Sequence, residues 1–206
     1  MHIVRQSSFV AVPWKNGGGV THEALRVPPD ADAFDWRVSV ARIDASGPFS
    51  DFAAYHRFMV LLKGAGAVLK FSSGPGAAVA GGPRPRAREL RRVGDLAEFD
   101  GGLATQCDLV DGPCVDLNLM VSKALPPARA RVQALREARS LSVGNAQSML
   151  VFAIDAAVEL RSDGGTSVLE PWDLALLAGG DRNVHVAAAG GAAGAVNVFL
   201  AELPAG

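Results

Sequence analysis

Two similar stretches decide the fold of this chain: MVLLKGAGAVLK at residues 59–70 and MLVFAIDAAVEL at residues 149–160. Each pattern predicts two short apolar strands joined by small residues. Further segments match in the same order along the chain, and three ordered matches indicate an internal duplication. The further pairs are residues 93–99 with 171–177 and residues 117–120 with 196–199.

Strand patterns with turn signals between them favour an all-β fold. Apolar residues alternate with Arg37 and Ser39, so these two polar side chains share one strand face. Residues 72–88, rich in Gly, Pro, Ala and Arg, predict an exposed loop inserted in the first copy, whereas residues 162–165 predict a hairpin turn in the second. Residues 128–139 fit either a strand or a helix, and the duplication favours the strand.

Short strands at this spacing predict antiparallel sandwiches or barrels. The repeated order, with a tight turn before Gly-Asp and a closing strand, resembles an RmlC-like cupin fold in its bicupin form, two antiparallel β-barrels or sandwiches in one chain. We therefore expect residues 1–206 to form a single compact unit, with a first cupin lobe over residues 1–122 and a second over residues 123–206.

Charge and hydropathy exclude several classes of protein. Twenty basic and 21 acidic residues give a net charge of −1 with no basic block, which argues against nucleic-acid binding. No apolar run approaches the ~18 residues of a membrane span. The N-terminal residues also lack the apolar stretch of a signal peptide. We therefore expect a cytoplasmic protein that does not bind membranes.

The two cysteines, Cys107 and Cys114, flank Asp111-Gly112, a dipeptide typical of tight hairpins. Such a hairpin would place Cys107 opposite Asp116 and leave the two thiols diagonal to each other. We expect free thiols, because disulfide geometry is demanding. Two cysteines at this spacing also differ from a zinc site, which normally has four ligands.

The segment WKNGGG at residues 14–19 is the first candidate binding element. Three successive glycines let backbone amides converge on one point and form a concavity that favours anions. A flexible turn is the commoner role of an isolated triple glycine. The flanking aromatic and polar residues favour a pocket for a small anion instead. Its predicted lining is Trp14, Lys15, Asn16, Gly17, Gly18, Gly19, Thr21 and Glu23.

Polar side chains on later strands are further candidates. If the face that carries Arg37 and Ser39 points into a barrel, Arg37 can hold a carboxylate through two parallel hydrogen bonds; a solvent-facing strand residue is the commoner alternative. His56 and Arg57 precede an apolar strand, so at least one should lie at the barrel mouth. Arg57 is the stronger ligand candidate, since a lone histidine is more often structural.

Asn118 and Asn197 are polar residues in apolar strands, at matching positions of the two copies. We expect each to satisfy hydrogen bonds within its own lobe. Asn118 is also a candidate ligand contact, whereas Asn197 is expected to be structural.

The histidine pattern predicts no metal site and no cofactor. Enzymatic cupins resemble one another in carrying two histidines one residue apart, a glutamate, and a third histidine after the Gly-Asp turn. Alanine stands where that third histidine is expected in both copies, and converging ligands are lacking. The four histidines, none within two residues of another, are His2, His22, His56 and His185.

Five motifs together resemble the HutD family, which also includes Ves-like proteins. They are PWKNGGGVTHE at residues 13–23, DWRVS at 35–39, GPFS at 47–50, HRF at 56–58 and DLNLM at 116–120. The resemblance implies a metal-free bicupin with a role in bacterial histidine utilisation, proposed to be regulatory, that responds to a small molecule such as N-formylglutamate. Two carboxylates on that molecule would suit Lys15, the glycine amides, Arg37 and Arg57.

Two alternatives stay open at this point. One is a metal-independent enzyme, an isomerase or hydrolase acting on a small amino-acid or sugar derivative, with His56 as acid/base and Glu23 as its partner. The other is an interaction protein whose ancestral pocket is filled by its own side chains. A homodimer is a further expectation, because cupins often dimerise through edge strands.

Overall fold

The structure is a computed structural model that describes residues 1–14, 19–29, 31–72, 87–143, 148–181, 183–191 and 194–204. Almost all regular structure in these residues is β. The strands are β1 (His2–Val4), β2 (Val10–Pro13), β3 (Gly19–Val27), β4 (Trp36–Ile43), β5 (Gly47–Pro48), β6 (Tyr55–Lys63), β7 (Ala67–Ser72), β8 (Ala87–Leu90), β9 (Leu96–Asp100), β10 (Ala104–Leu109), β11 (Cys114–Ser122), β12 (Arg129–Leu135), β13 (Arg139–Leu141), β14 (Ser148–Ala153), β15 (Val158–Ser162), β16 (Gly165–Leu169), β17 (Leu174–Ala178), β18 (Val184–Ala188) and β19 (Val196–Leu203). Two 3-10 turns cover Gln6–Ser8 and Ala189–Gly191. The all-β prediction is confirmed.

The chain divides into two compact units. Unit I is Val10–Ala124, and unit II combines Met1–Phe9 with Leu125–Gly206. The first nine residues therefore belong with the C-terminal half, because β1 pairs with β17. The predicted lobes, 1–122 and 123–206, remain a prediction.

Each unit contains two antiparallel sheets. In unit I the larger sheet has the order β2-β3-β4-β11-β6-β9 and the smaller one β5-β10-β7-β8. In unit II the corresponding orders are β1-β17-β14-β19-β12 and β13-β18-β15-β16. The strand order β9-β6-β11-β4 of unit I corresponds to the order β17-β14-β19-β12 of unit II. This correspondence confirms the predicted duplication. No strand ladder among the described residues joins the two sheets of a unit, so each unit is a sandwich and not a closed barrel.

Apolar side chains from both sheets fill the interior of each unit. In unit I the larger sheet contributes Ile43, Met59 and Leu61, and the smaller sheet contributes Leu69 and Leu90. All five are almost completely buried. Because strand side chains alternate between faces, these core residues define which face of each strand points inward.

Several local predictions can be compared with this architecture. The segment 128–139 contains strand β12, as the duplication favoured. Ser162 pairs with Gly165 across a two-residue turn, which confirms the predicted hairpin. Residues 73–86 of the predicted inserted loop lie outside the described residues.

The predicted Asp111-Gly112 hairpin is wrong. Strands β10 and β11, which flank it, lie in different sheets, so Cys107 does not pair with Asp116. Gly112 has a φ of +72°, and a turn of this kind can carry a chain between sheets as well as back along one. The prediction of two free thiols is confirmed, and both are buried.

The predicted equivalence of Asn118 and Asn197 is also wrong. Asn118 pairs with Met59 and lies on the inward face of unit I. In unit II the inward side chains of β19 are those of Val196 and Val198, so the alternating Asn197 lies on the opposite face. Asn197 instead binds Asp155, through its backbone N–H at 2.8 Å and its Nδ2 at 2.6 Å, which fits its expected structural role.

Within the described residues, no helix has the length and apolar character needed to cross a membrane.

Candidate ligand site in unit I

The inward face of the larger sheet of unit I changes from apolar to polar along its strands. Near one end, Ile43 and Cys114 are a cross-strand pair in the apolar core. Near the other end, Met120 of β11 lies between Arg37 of β4 and Arg57 of β6 in the strand register. The alternation that directs the core residues inward therefore directs two arginines inward as well.

The Arg37 side chain is 16% exposed and lies among aromatic rings and one carboxylate. Its guanidinium carbon lies 5.1 Å from the centre of the Phe34 ring and 5.5 Å from that of Phe52. Its Nη1 is 3.9 Å from Glu23 Oε2, and its Nη2 lies 3.5 Å from the sulfur of Met120. Burial lowers the pKa of Arg37, and the Glu23 carboxylate opposes this effect.

Arg57 is 5% exposed, and aromatic rings surround its guanidinium. Its guanidinium carbon lies 5.1 Å from the centres of the Phe49 and Phe99 rings and 5.5 Å from that of Phe52. No hydrogen bond or ion pair from this guanidinium reaches another described residue. Burial lowers the pKa of Arg57 to about 10; Asp116 opposes this effect and Arg37 adds to it. Arg57 therefore remains charged at neutral pH.

Asp116 and Asn118 bring acceptor groups to the same interior. They are 1% and 7% exposed, and the Asn118 Nδ2 donates a long hydrogen bond of 3.4 Å to Asp116 Oδ2. Burial raises the pKa of Asp116 to about 7, although Arg57 and the Asn118 hydrogen bond both favour the ionised form.

Four buried polar atoms of this interior have no hydrogen-bond partner among the described residues. They are Nε of Arg37, Nε of Arg57, Oδ1 of Asp116 and Oδ1 of Asn118. Buried polar groups in folded proteins are almost always hydrogen-bonded, to protein or to ordered water, so these four atoms make the interior of unit I the candidate site.

Arg26 closes one side of the site and was not predicted from the sequence. It holds Glu23 through two hydrogen bonds of 2.9 and 2.7 Å, and its Nη1 donates to Ala31 O at 2.7 Å. The Glu23 hydrogen bond raises the pKa of Arg26. The strand register shifts between Glu23 and Leu25, which brings Arg26 opposite Arg37. Simple alternation misses such a β-bulge, because one extra residue reverses the faces that follow it.

The described ends of the glycine-rich element form a hairpin connection between β2 and β3. The Trp14 N–H donates to Gly19 O at 2.9 Å, and the indole Nε1 donates to Thr21 Oγ1 at 2.8 Å. A side chain at Gly19 would overlap the Arg42 carbonyl oxygen, so this position requires glycine. Lys15, Asn16, Gly17 and Gly18 lie outside the described residues, and their role as an anion site remains a prediction.

The structure places the predicted site residues in two groups. The inward group consists of Thr21, Glu23, Arg37, Ser39, Arg57 and Asn118. Ser39 pairs with both Glu23 and Asn118, and Thr21 pairs with Ala41, which is the cross-strand partner of Asp116. His56 precedes Arg57 on β6 and therefore points to the opposite face.

His56 is 38% exposed and lies 2.9 Å from Glu98. The structure thus separates His56 from Glu23, which are the two residues of the acid–base alternative. Arg57, the stronger candidate of the neighbouring pair, is the one that lies inside.

The aromatic walls of the site are the rings that contact the inward arginines, and they were not predicted from the sequence. They belong to Phe34, Phe49, Phe52 and Phe99. Phe52 contacts both buried arginines, and Tyr55 stacks on Phe34 with ring centres 4.1 Å apart. The motif GPFS was noted at residues 47–50, but no periodic pattern assigned its Phe49 to the interior. The segment between β5 and β6 is irregular, so only the tertiary structure shows where its rings lie.

The two thiols are poor nucleophiles. Burial raises the pKa of both Cys107 and Cys114 to about 12. Because the thiolate is the reactive form, neither cysteine suits covalent chemistry at neutral pH. Across the described parts of the chain, no three His, Cys, Asp or Glu side chains are grouped so that they could hold a metal ion.

A separate surface cleft of about 390 Å³ lies in unit II, beside Met1, Asp163 and Asp181. Its charged groups are already paired: the Met1 ammonium lies 2.7 Å from Asp181, and Asp163 accepts from Asn183 at 3.1 Å. Since unpartnered buried polar atoms occur in unit I instead, we place the candidate site there.

Comparison with known proteins agrees with this structure. The family model named HutD matches residues 6–195. A relative from Pseudomonas putida, an uncharacterised 21.2 kDa protein in the hutC 3′ region, is 33% identical over 165 residues, which cover 80% of this chain and 79% of the relative.

Three solved structures are similar to this chain over 99% of its length. A conserved protein of unknown function from Pseudomonas aeruginosa PAO1 is 28% identical, with a TM-score of 0.81 over 99% of this chain and 98% of that one. HutD from Pseudomonas fluorescens SBW25, in a formate condition, is 28% identical, with a TM-score of 0.74 over 99% of both chains. A variant of Bacillus subtilis oxalate decarboxylase is 9% identical, with a TM-score of 0.68 over 99% of this chain and 77% of that one. This last likeness shows the cupin fold alone and confirms that part of the prediction.

Proposed function

The chain belongs to the HutD family, which is associated with histidine utilisation, and on this premise we propose that it binds a small carboxylate in the interior of unit I. N-formylglutamate is the carboxylate that we propose, and its binding serves a regulatory role in histidine utilisation. The observation that carries the proposal is the pair of inward guanidiniums, Arg37 and Arg57, whose Nε atoms have no hydrogen-bond partner among the residues that the structure describes.

Electrostatics supports an anion as the occupant. Three guanidiniums, Arg26, Arg37 and Arg57, face this interior with two carboxylates, Glu23 and Asp116, which leaves an excess of one positive charge when all five are ionised. Within the described parts of the chain Arg57 forms no ion pair, although the Asp116 charge acts on it, and a buried unpaired cation is costly. A ligand carboxylate that forms a bidentate pair with a guanidinium relieves this cost.

The aromatic walls strengthen the same interaction. The rings of Phe49, Phe52 and Phe99 surround the Arg57 guanidinium and reduce its contact with water. A charge pair formed in such a low-dielectric environment is stronger than the same pair at the surface. The rings also hold both arginines through cation–π contacts before a ligand arrives.

Isothermal titration calorimetry of the full chain tests the proposal. The ligands are N-formyl-L-glutamate, L-glutamate, urocanate and formate. We expect N-formyl-L-glutamate to bind, and Arg37→Met and Arg57→Met each to weaken its binding by about tenfold or more, as expected for hydrogen bonds to a charged group. Arg92→Met is the matched control, because the Arg92 side chain is 88% exposed, and it should bind like the parent.

Two results would overturn the proposal. If none of the four anions binds, the carboxylate site does not exist. If anions bind but Arg57→Met binds them as tightly as the parent, the site lies elsewhere. For the regulatory part, a strain carrying Arg57→Met should show the same change in histidine-utilisation transcripts as a strain without the gene; transcripts at the parental level would refute a regulatory role for ligand binding.

A further inference from the structure

Two acceptor groups in the interior of unit I are not used by a ligand carboxylate. The inward guanidiniums donate hydrogen bonds, whereas Oδ1 of Asn118 and, when Asp116 is ionised, Oδ1 of Asp116 can only accept them, and neither oxygen has a partner among the described residues. A second carboxylate placed against these oxygens would leave them unpaired and would repel Asp116. A ligand that satisfies all four atoms must therefore carry a hydrogen-bond donor as well as a carboxylate.

We propose that Asp116 and Asn118 form an acceptor pair that selects carboxylic acids bearing an N–H donor, an amino acid or an N-acyl amino acid. This inference rests on the proposed carboxylate site and adds the group that decides between ligands of equal charge. Arg37 and Arg57 bind the acid group, and the acceptor pair binds the N–H.

The strand register gives the spacing that such a ligand needs. Met120 marks the cross-strand row of the two arginines, and Asn118 and Asp116 follow on the same face at steps of two residues. Each step is about 7 Å along a strand. The long arginine side chains reach part of this distance, and the charges of Arg57 and Asp116 act on each other. The proposed ligand therefore has its N–H a few bonds from its carboxylate.

The acceptor pair is also held in place before a ligand arrives. The Asn118 amide donates to Asp116 Oδ2, which orients both groups and leaves their Oδ1 atoms free. The direct cross-strand partners of Asp116 are Ala41 and Leu61, whose side chains offer it no hydrogen-bond donor. The N–H of a ligand is then the group that completes the hydrogen bonding.

Dicarboxylates that lack the N–H test this inference. Glutarate has the two carboxylates of glutamate without the nitrogen, and N-methyl-N-formylglutamate keeps the nitrogen without its hydrogen. Calorimetry at pH 8.5 keeps Asp116 ionised, because its pKa is about 7. We expect N-formyl-L-glutamate to bind at least about tenfold more tightly than either compound, since hydrogen bonds to charged groups are the stronger kind. L-glutamate distinguishes an ammonium donor from an amide donor.

Asp116→Leu distinguishes a role in ligand selection from a purely structural role. Removal of the buried negative charge should leave glutarate binding unchanged or tighter. The ratio of the affinity for N-formyl-L-glutamate to that for glutarate should fall below about threefold. Asn118→Leu should also reduce this ratio. If Asp116→Leu does not fold, Asp116→Asn removes the charge at nearly constant size and should likewise leave glutarate binding unchanged or tighter.

The possible failures are distinguishable. Equal binding of glutarate and N-formyl-L-glutamate by the parent protein refutes the acceptor pair but keeps the carboxylate site. Equal weakening of both ligands by Asp116→Leu assigns the residue a structural role and also refutes the pair. Absence of binding by every ligand refutes the carboxylate site itself.

Discussion

Asp116→Asn removes a buried negative charge from unit I without changing the size of the side chain. Asp116 is 1% exposed, and burial raises its pKa from the ordinary 3.8 to about 7. The groups that face it are Arg57 on β6, Cys107 on β10, and Cys114 and Asn118 on β11. Of these, Arg57 and Asn118 favour the ionised carboxyl, and the effect of burial exceeds both.

The sign of the pH dependence follows from the two pKa values. Below about pH 4 the carboxyl is protonated in both the folded and the unfolded chain and contributes nothing. Between about pH 4 and 7 the unfolded chain loses its proton first, so the free energy of unfolding falls as the pH rises. At one pKa unit per 1.36 kcal/mol, the loss reaches at most about 4 kcal/mol above pH 7. Asp116→Asn has no such loss, so the variant should be the more stable protein at pH 8.

Urea unfolding of both proteins at pH 4, 5, 6, 7 and 8 measures this difference, because other titrating groups cancel in the comparison. The free energy of unfolding of the variant, relative to the parent, should rise with pH and level off near pH 8. Asp108→Asn is the control: Lys70 lowers the pKa of the exposed Asp108, so that variant should not gain on the parent as the pH rises. A flat difference for Asp116→Asn, or one that falls with pH, would show that Arg57 compensates for burial and that the reasoning is wrong.

Two substitutions test the local structure of each unit. Gly19→Ala should lower the free energy of unfolding by about 1–3 kcal/mol, because the added Cβ meets the backbone oxygen of Arg42. Gly47→Ala is the control and should change the free energy of unfolding little, because the added carbon there meets nothing. Equal effects of the two substitutions would contradict the packing argument. Asp173→Ala should cost about 2–3 kcal/mol, because the buried carboxylate accepts from the Gln6 and Glu170 backbones and from Arg5; thermal unfolding unchanged by this substitution would show that these bonds contribute nothing.

The same buried residues of unit I affect both the stability of the protein and its affinity for a ligand. Arg57 and Asp116 are buried charged residues whose hydrogen bonding is incomplete. Such groups reduce the stability of the empty protein, and a ligand that completes their hydrogen bonds returns that free energy as affinity. Among the described residues of unit II, the core at the corresponding sheets is apolar, with residues such as Met149 and Val151, and no buried polar side-chain atom lacks a partner. The described parts of the two copies therefore differ, because unit I carries this cost and unit II does not.

Alternation along strands was sufficient to find part of the site. It placed Arg37 and Ser39 on one face, and it requires that His56 and Arg57 point in opposite directions. It could not say which of the two faces was inward, because both faces of β4 and β6 carry buried residues. The position of Arg26 was hidden by the register shift after Glu23, and that of Phe52 by the irregular segment that carries it.

The sequence by itself determined the all-β class, the duplication, the strand faces and the family. These depend on local patterns of residue types and on their order along the chain. Only the tertiary structure decided that Arg57, and not His56, enters the interior. It also decided that Asp116 and Asn118 meet the two arginines there, and that β10 and β11 belong to different sheets. Burial and unpaired hydrogen-bonding groups arise from contacts between segments far apart in the chain, and local patterns carry no information about such contacts.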